Sequence, residues 1–164
     1  MIPRYARLMA LSITLIAASA TSARGQLTAT QNVSFSIGAI NQIAFFGTPS
    51  LAVSTAIAGA APSSVTNATA TWAVTTNQSG AKITASIPAI MPAGVTLSSS
   101  LAPPAGATSL GLRPLTTVAV DLVTTITKVA QGALLVTYKL DATPAAGVVA
   151  SSSRIVTYTI TGGT

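Results

Sequence analysis

The sequence of 164 residues contains no histidine, no cysteine and no glutamate, and its only acidic side chains are Asp121 and Asp141. Without histidine a Ser-His-Asp triad is impossible, and without cysteine thiol catalysis and zinc-thiolate sites are impossible. A glycosidase would need both aspartates to face each other across a cleft, and a calcium site usually gathers more carboxylates. The composition therefore predicts a protein that is not an enzyme and that holds no metal or cofactor.

Charged residues make up only 6% of the sequence, and the net charge of +6 reflects a scarcity of acids rather than an abundance of bases. Beyond the first 20 residues the lysines and arginines stand singly, whereas nucleic-acid binding uses clustered cations that neutralise a row of phosphates. No glycine-rich phosphate loop follows a strand. We therefore expect no nucleic-acid partner, no nucleotide site and no electrostatic membrane patch.

The first 20 residues have the three parts of a secretory signal peptide. Arg4 and Arg7 form a positive n-region, residues 8–18 form an uncharged apolar run, and Ala18-Ser19-Ala20 is a small-x-small cleavage site. The apolar run is about half of the roughly 20 residues that a membrane-spanning helix needs. These features predict cleavage before Thr21 and export of the mature chain.

A second cleavage site, Ala23-Arg24-Gly25, would shorten the mature chain to residue 26 onward. Cleavage before Thr21 removes Arg4 and Arg7 and lowers the net charge by two, and no later segment is long and apolar enough to span a bilayer. Residues 21–164 are predicted to form one domain in the periplasm, on the cell surface or outside the cell. Because the chain has no cysteine, no disulfide stabilises it, and its stability must come from the core.

Short runs in which apolar residues alternate with threonine and serine recur along the mature chain. This period of two is typical of strands that bury one face, and the β-branched residues threonine and valine favour extended backbone. Such runs are found at 28–37, 40–46, 51–57, 69–76, 82–87, 95–101, 134–140 and 154–161. About eight to ten strands separated by Gly/Pro turns predict an all-β fold, a single antiparallel β-sandwich, with a closed barrel as the alternative.

Residues 69–76 and 82–87 flank the turn Asn77-Gln78-Ser79-Gly80, where Gly80 is free to adopt positive φ. This arrangement predicts a β-hairpin. Trp72, in the first of these runs, is interpreted as a core anchor because a buried aromatic side chain contributes a large apolar area. The alternative role for Trp72 is a platform on which a sugar ring stacks.

Residues 110–126 are ambiguous between strand and helix. Val118, Val120 and Leu122 alternate as in a strand, whereas Leu122, Val123 and Ile126 share the spacing of a short helix. The threonine and valine content favours a strand.

Two weaker motifs are present. Ser79-Gly80-Ala81-Lys82 has the Ser-x-x-Lys form of penicillin-binding enzymes, but it crosses a predicted turn and its companion motifs are absent, so we interpret it as a turn. Asn32, Asn67 and Asn77 each begin an Asn-x-Ser/Thr sequon, which a chain rich in serine and threonine produces by chance.

The closing run Arg154-Ile155-Val156-Thr157-Tyr158-Thr159-Ile160-Thr161 follows an Ala146-Gly147 turn. Together with the signal peptide and the cysteine-free Ser/Thr/Ala/Val body, it resembles small exported bacterial β-sandwich proteins of the fimbrial and spore-coat-U-like kind. Many of those proteins carry a disulfide, which this chain lacks. The resemblance implies an immunoglobulin- or pilin-like sandwich with a structural role at the cell surface and no catalytic residues.

These features predict a non-catalytic structural or adhesive surface protein, such as a subunit of a fibre or extracellular matrix that assembles through strand edges or with other surface proteins. The segment 27–37, with Val33, Phe35 and Ile37 on one face, is the candidate for adding a strand to a neighbouring subunit. The interpretation we favour for this segment is nevertheless pairing within its own domain, as sequential strands usually do. The alternative function is a monomeric module that binds carbohydrate or another ligand, which depends on exposure of Trp72 and the tyrosines.

Overall fold

The computed structural model describes residues 28–164. The predicted signal peptide, residues 1–20 with its alternative end at residue 25, lies outside the described residues. Residues Ile37–Thr164 form one compact unit, and the residues before Ile37 belong to a separate unit of which 28–36 are described. No helix within residues 28–164 is long and apolar enough to cross a membrane.

Nine strands and one short 3-10 helix form the regular structure of the described residues. The strands are β1 (Asn41–Phe46), β2 (Val65–Thr76), β3 (Ala81–Ser86), β4 (Val95–Leu101), β5 (Thr108–Ser109), β6 (Arg113–Pro114), β7 (Val120–Ile126), β8 (Val129–Ala142) and β9 (Thr157–Thr161), and the 3-10 helix spans Pro144–Ala146. The prediction of a strand in the ambiguous 110–126 region is confirmed by β7.

The strands form two antiparallel sheets. The first has the order β1-β2-β8-β4-β6 and the second the order β5-β7-β3-β9. The all-β prediction is confirmed at this level. Strands β1 and β9 each lie at an edge of their sheet, and within residues 28–164 each is paired with a strand of its sheet on one side only.

A single cluster of buried side chains draws on both sheets. Trp72 and Val136 come from the first sheet, and Ile83, Leu122 and Ile126 come from the second; all five are fully buried. The indole nitrogen of Trp72 donates a hydrogen bond to the carbonyl oxygen of Ala102 at 3.1 Å, so this buried polar group is satisfied. The prediction that Trp72 is a core anchor is confirmed.

The predicted hairpin between β2 and β3 is wrong. Strand β2 pairs with β1 and β8, whereas β3 pairs with β7 and β9, so the turn 77–80 joins the two sheets. The turn is held by the connection between β7 and β8, where the Lys128 amide donates to the Gln78 carbonyl at 2.9 Å and the Gly80 amide donates to the Thr127 hydroxyl at 3.1 Å. A period of two shows that each strand has a buried face, but it does not show which strand is its neighbour.

Two other predicted strands are absent from the described residues. Residues 51–57 form no strand and only a single bridge between Ala56 and Pro62, although Leu51 and Val53 remain half-buried on one side. Residues 28–37 also lie in no strand, so the pairing that we favoured for them within their own domain is not found. In both places the alternation is present, but no neighbouring strand pairs with the segment.

Candidate functional site

A groove of about 1150 Å³ opens where the edges of the two sheets meet. Strand β1 contributes Ile43 and Phe45, strand β8 contributes Tyr138 and Leu140, and the last strand and its approach contribute Tyr158 and Val156. Residues 49–53 and 149–154, which belong to no strand, also line it. The volume lies slightly above the usual range of roughly 300–1,000 Å³ for ligand pockets. The walls combine aliphatic and aromatic side chains with polar groups such as those of Ser151, Ser152 and Ser153.

The hydrophobic core is incomplete at this groove. Thirteen half-buried apolar side chains pack against the fully buried cluster, and eight of these thirteen line the groove. On β2, by contrast, the inward side chains Ala70, Trp72 and Val74 are buried. Because burying apolar area is favourable at roughly 25 cal/mol per Å², an apolar occupant of the groove would gain free energy by completing this core.

Both sheets present an open edge at the groove. Strand β1 ends the first sheet and strand β9 ends the second, and side chains of both strands line the groove. The rings of Phe45 and Tyr158 stack across these two edges with centroids 3.9 Å apart and an interplanar angle of 15°. An open edge carries unpaired backbone N–H and C=O groups, which are a template for an additional strand.

A small hydroxyl network lies in the wall of the groove. The hydroxyls of Tyr138 and Tyr158 are 2.7 Å apart, and the hydroxyl of Tyr158 is 3.1 Å from that of Ser99. Burial raises the pKa of Tyr158 and also that of Tyr138 above the ordinary value of 10.0. The network satisfies polar atoms that would otherwise be costly in an apolar wall.

These raised pKa values predict a loss of stability in alkali. Up to about pH 10 both tyrosines keep their protons in the folded and unfolded states, so they add no pH dependence. Above that pH the unfolded chain loses the phenolic protons that the folded chain retains, and the free energy of unfolding falls until the folded pKa is passed. Urea unfolding between about pH 8 and about pH 11 should show this fall, and Tyr158→Phe should make it shallower. An equally steep fall in the variant would contradict the assignment to Tyr158.

Arg154 is the one charged residue among those that line the groove. Its Nη1 donates to the carbonyl oxygen of Ser153 at 3.0 Å, but its buried Nε has no hydrogen-bond partner. A buried donor without a partner is unfavourable, so an occupant that offers a backbone carbonyl or another acceptor at this place would be favoured.

No protein-family model, curated protein or solved structure matches this chain.

The three residues of the predicted assembly segment are strongly exposed. Val33 is 75%, Phe35 is 90% and Ile37 is 79% exposed, and no strand includes them. Large apolar side chains exposed in a row usually indicate an interaction site. In extended backbone these three side chains project from one face, because they are separated by two positions each.

The two aspartates are not brought together. Asp121 lies on β7 of the second sheet and pairs with Lys82 at 3.0 Å, whereas Asp141 lies on β8 of the first sheet and pairs with Lys139 at 2.8 Å. Within residues 28–164 no three acidic, histidine or cysteine side chains gather in a form that would hold a metal ion. The Ser-x-x-Lys motif also serves structure, since the backbone of Ser79 bonds to Thr164 while Lys82 faces Asp121.

Two of the three sequon asparagines use their side chains to hold backbone. Asn67 accepts from the Thr69 amide at 3.0 Å and donates to the Ser50 carbonyl at 3.1 Å. Asn77 accepts from the Ile40 amide and donates to the Gly38 carbonyl, both at 2.8 Å. A glycan on either amide nitrogen would compete with the hydrogen bond that this nitrogen donates, to Ser50 from Asn67 and to Gly38 from Asn77.

Proposed function

We propose that this protein is a non-catalytic, exported structural or adhesive surface subunit whose copies associate by strand addition. In this proposal residues 28–37 of one copy, the donor segment, fill the groove of a second copy. Two observations in the same chain support the proposal. The core is incomplete at the edges of the two sheets, and residues 28–37 expose alternating apolar side chains.

The chemistry of the donor segment matches that of the groove. Val33, Phe35 and Ile37 would face the apolar walls, while Ser34 and Ser36 would remain in water. Three alternate residues of an extended strand span about 13 Å, at roughly 3.3 Å per residue. The backbone of the donor segment would pair with the open edge of β1 or β9, which supplies affinity, and the apolar walls would supply selectivity.

The geometry of this association favours linear assembly. The donor segment and the groove are different surfaces, so each subunit that gives a strand still has an empty groove to receive one. Such a heterologous interface produces an open filament unless the rotation between subunits closes a ring. A fibre or extracellular-matrix subunit is therefore the form of the protein that we propose.

Other features support the same role. The two sheets share one core cluster, as expected if they pack face to face as a β-sandwich. The predicted signal peptide supports export, and the closing run 154–161 resembles fimbrial and spore-coat-U-like proteins. The low charge leaves the strand edges lightly protected against self-association.

Sedimentation velocity and negative-stain microscopy of the purified mature chain test the proposal. We expect oligomers whose size increases with protein concentration, and filaments at the highest concentrations. A single monomeric species at every concentration would contradict it.

The alternative function is a monomeric module that binds a small ligand in the same groove, and the groove volume and the half-buried Tyr138 and Tyr158 favour it. Trp72 offers no support for a sugar platform because it is fully buried. A synthetic peptide of residues 28–37 separates the two functions. If the groove receives the donor segment, this peptide displaces an apolar fluorescent probe from it; failure to displace a bound probe would favour a small-ligand module.

A further inference from the structure

Asn77 holds the backbone that connects the donor segment to the domain. It follows β2 directly, after the last pair of the β1–β2 ladder, Asn41 with Thr76. Its backbone amide donates to the Ile40 carbonyl at 3.2 Å, its side-chain oxygen accepts from the Ile40 amide at 2.8 Å, and its side-chain nitrogen donates to the Gly38 carbonyl at 2.8 Å.

The side chain of Asn77 forms hydrogen bonds that the backbone of β2 would form if the strand continued. In a regular antiparallel ladder the Ile40 amide would bond to the backbone carbonyl of the residue opposite it. Here the chain turns away at Asn77, and the amide group of its side chain supplies both the acceptor for Ile40 and the donor for Gly38. Residues 38–40 are therefore held against the end of β2, upstream of β1.

Two neighbours fix the orientation of this side chain. The Gln78 side-chain nitrogen donates to the same Asn77 oxygen at 2.8 Å, and the Gln78 carbonyl accepts from the Lys128 amide at 2.9 Å. We call the hydrogen bonds of Asn77 to Gly38 and Ile40 the clamp. The clamp is thus part of the turn that joins the two sheets. Its geometry is determined by the compact domain and not by the donor segment.

The clamp opposes insertion of the donor segment into the groove of its own chain. For that insertion the chain would have to reverse direction between Ile37 and the start of β1, which leaves only residues 38–40 for the turn. Such a reversal would break the hydrogen bonds of Asn77 to Gly38 and Ile40. We propose that Asn77 is a positioning residue that keeps the donor segment out of its own groove and directs it to a second copy, an inference that rests on the proposed function.

The matched control for this proposal is Gln131 on β8. Its side-chain oxygen also accepts a hydrogen bond from a backbone group distant in sequence, the Ala105 amide at 2.8 Å, and neither residue lines the groove. Replacing either amide side chain by alanine removes hydrogen bonds of the same kind. Only Asn77→Ala should release the donor segment.

We expect Asn77→Ala to raise the monomer fraction, with the apparent association constant falling about tenfold, whereas Gln131→Ala leaves association close to that of the unmodified chain. Hydrogen exchange on the monomer gives a readout that simple destabilisation would not produce. The amides of residues 33–37 should be protected in the Asn77→Ala monomer, because the segment then occupies its own groove, and unprotected in the unmodified monomer. Equal association of the two alanine variants, or unprotected amides in Asn77→Ala, would overturn the proposal.

A second experiment separates failure of this inference from failure of the proposed function. A full-length chain in which Val33, Phe35 and Ile37 are all replaced by serine has an empty groove and receives the 28–37 peptide, with or without Asn77→Ala. Equal peptide affinity in both chains is expected, since Asn77 does not line the groove. A lower affinity in the Asn77→Ala chain would assign Asn77 to the shape of the groove and overturn its positioning role. No peptide binding in either chain would contradict the proposed function itself.

Discussion

Replacing Phe35 by aspartate is expected to abolish self-association while leaving the domain folded. Phe35 is 90% exposed, so its replacement removes little from the folded monomer. In the assembled state the same position would place a carboxylate against the apolar walls of the groove. Loss of a buried phenylalanine costs about 1.5–3 kcal/mol, and burial of an unpaired charge adds to this, so we expect association to weaken at least about a hundredfold.

Ser36→Asp is the matched control for this experiment. It introduces the same charge at the next position, on the face of the extended segment that would remain in water. Sedimentation velocity should show monomer for Phe35→Asp and near-normal assembly for Ser36→Asp, with similar urea midpoints for both. If Phe35→Asp still formed oligomers of unchanged size, strand addition by the donor segment would be wrong.

Trp72→Ala is expected to remove much of the stability of the domain. Trp72 is fully buried among side chains of both sheets, its ring lies 6.0 Å from that of Phe45, and its indole nitrogen is hydrogen-bonded. Truncation of a buried aromatic side chain typically costs 3–5 kcal/mol, whereas the total stability of a domain is about 5–15 kcal/mol. With no disulfide to limit the unfolded state, the variant should unfold at a much lower urea concentration, with a free energy of unfolding reduced by about 3–5 kcal/mol.

Val118→Ala is the control for the stability experiment. Val118 is 73% exposed, so its truncation should change the free energy of unfolding by less than about 0.5 kcal/mol. Trp72→Phe should lie between the two, since it keeps an aromatic ring but loses the hydrogen bond to Ala102. A loss of less than about 1 kcal/mol in Trp72→Ala would show that the core does not depend on this residue.

The sequence predicts the strands well where one face is apolar and buried and the other is polar. The alternation of Ala70, Trp72 and Val74 predicts a strand with one buried face, and the structure buries all three. The same reasoning locates β8 and identifies β7 as a strand rather than a helix. In these strands the local pattern and the tertiary packing agree, so the periodicity alone is sufficient.

Strand partners and the groove are not predictable in this way. The turn 77–80 looks like a hairpin turn, but it joins two sheets, because each strand finds its neighbours elsewhere in the chain. The groove is formed by Phe45, Tyr138 and Tyr158, which are far apart in sequence and share no local motif. The sequence carries one weak signal of the groove wall, the alternation of apolar residues at 51–57. In the structure this segment forms no strand, and its residues Leu51 and Val53 line the groove.

Asn77 illustrates a second limit of the sequence. Two ordinary features, a sequon and a turn, each account for an asparagine at position 77. Its contacts with Gly38 and Ile40 join residues more than 35 positions apart, and only the folded structure shows them. Whether a polar turn residue caps its own turn or holds a distant segment depends on the tertiary arrangement.

Photo-crosslinking from position 35 tests directly whether the donor segment of one copy fills the groove of another. A photoreactive phenylalanine analogue replaces Phe35 in an isotopically labelled chain, which is mixed as monomer with unlabelled chains before assembly and irradiation. We expect crosslinks from labelled residue 35 to groove residues such as Tyr138, Leu140 or Val156 of an unlabelled chain. Crosslinks confined to the same chain, or to surfaces outside the groove, would contradict it.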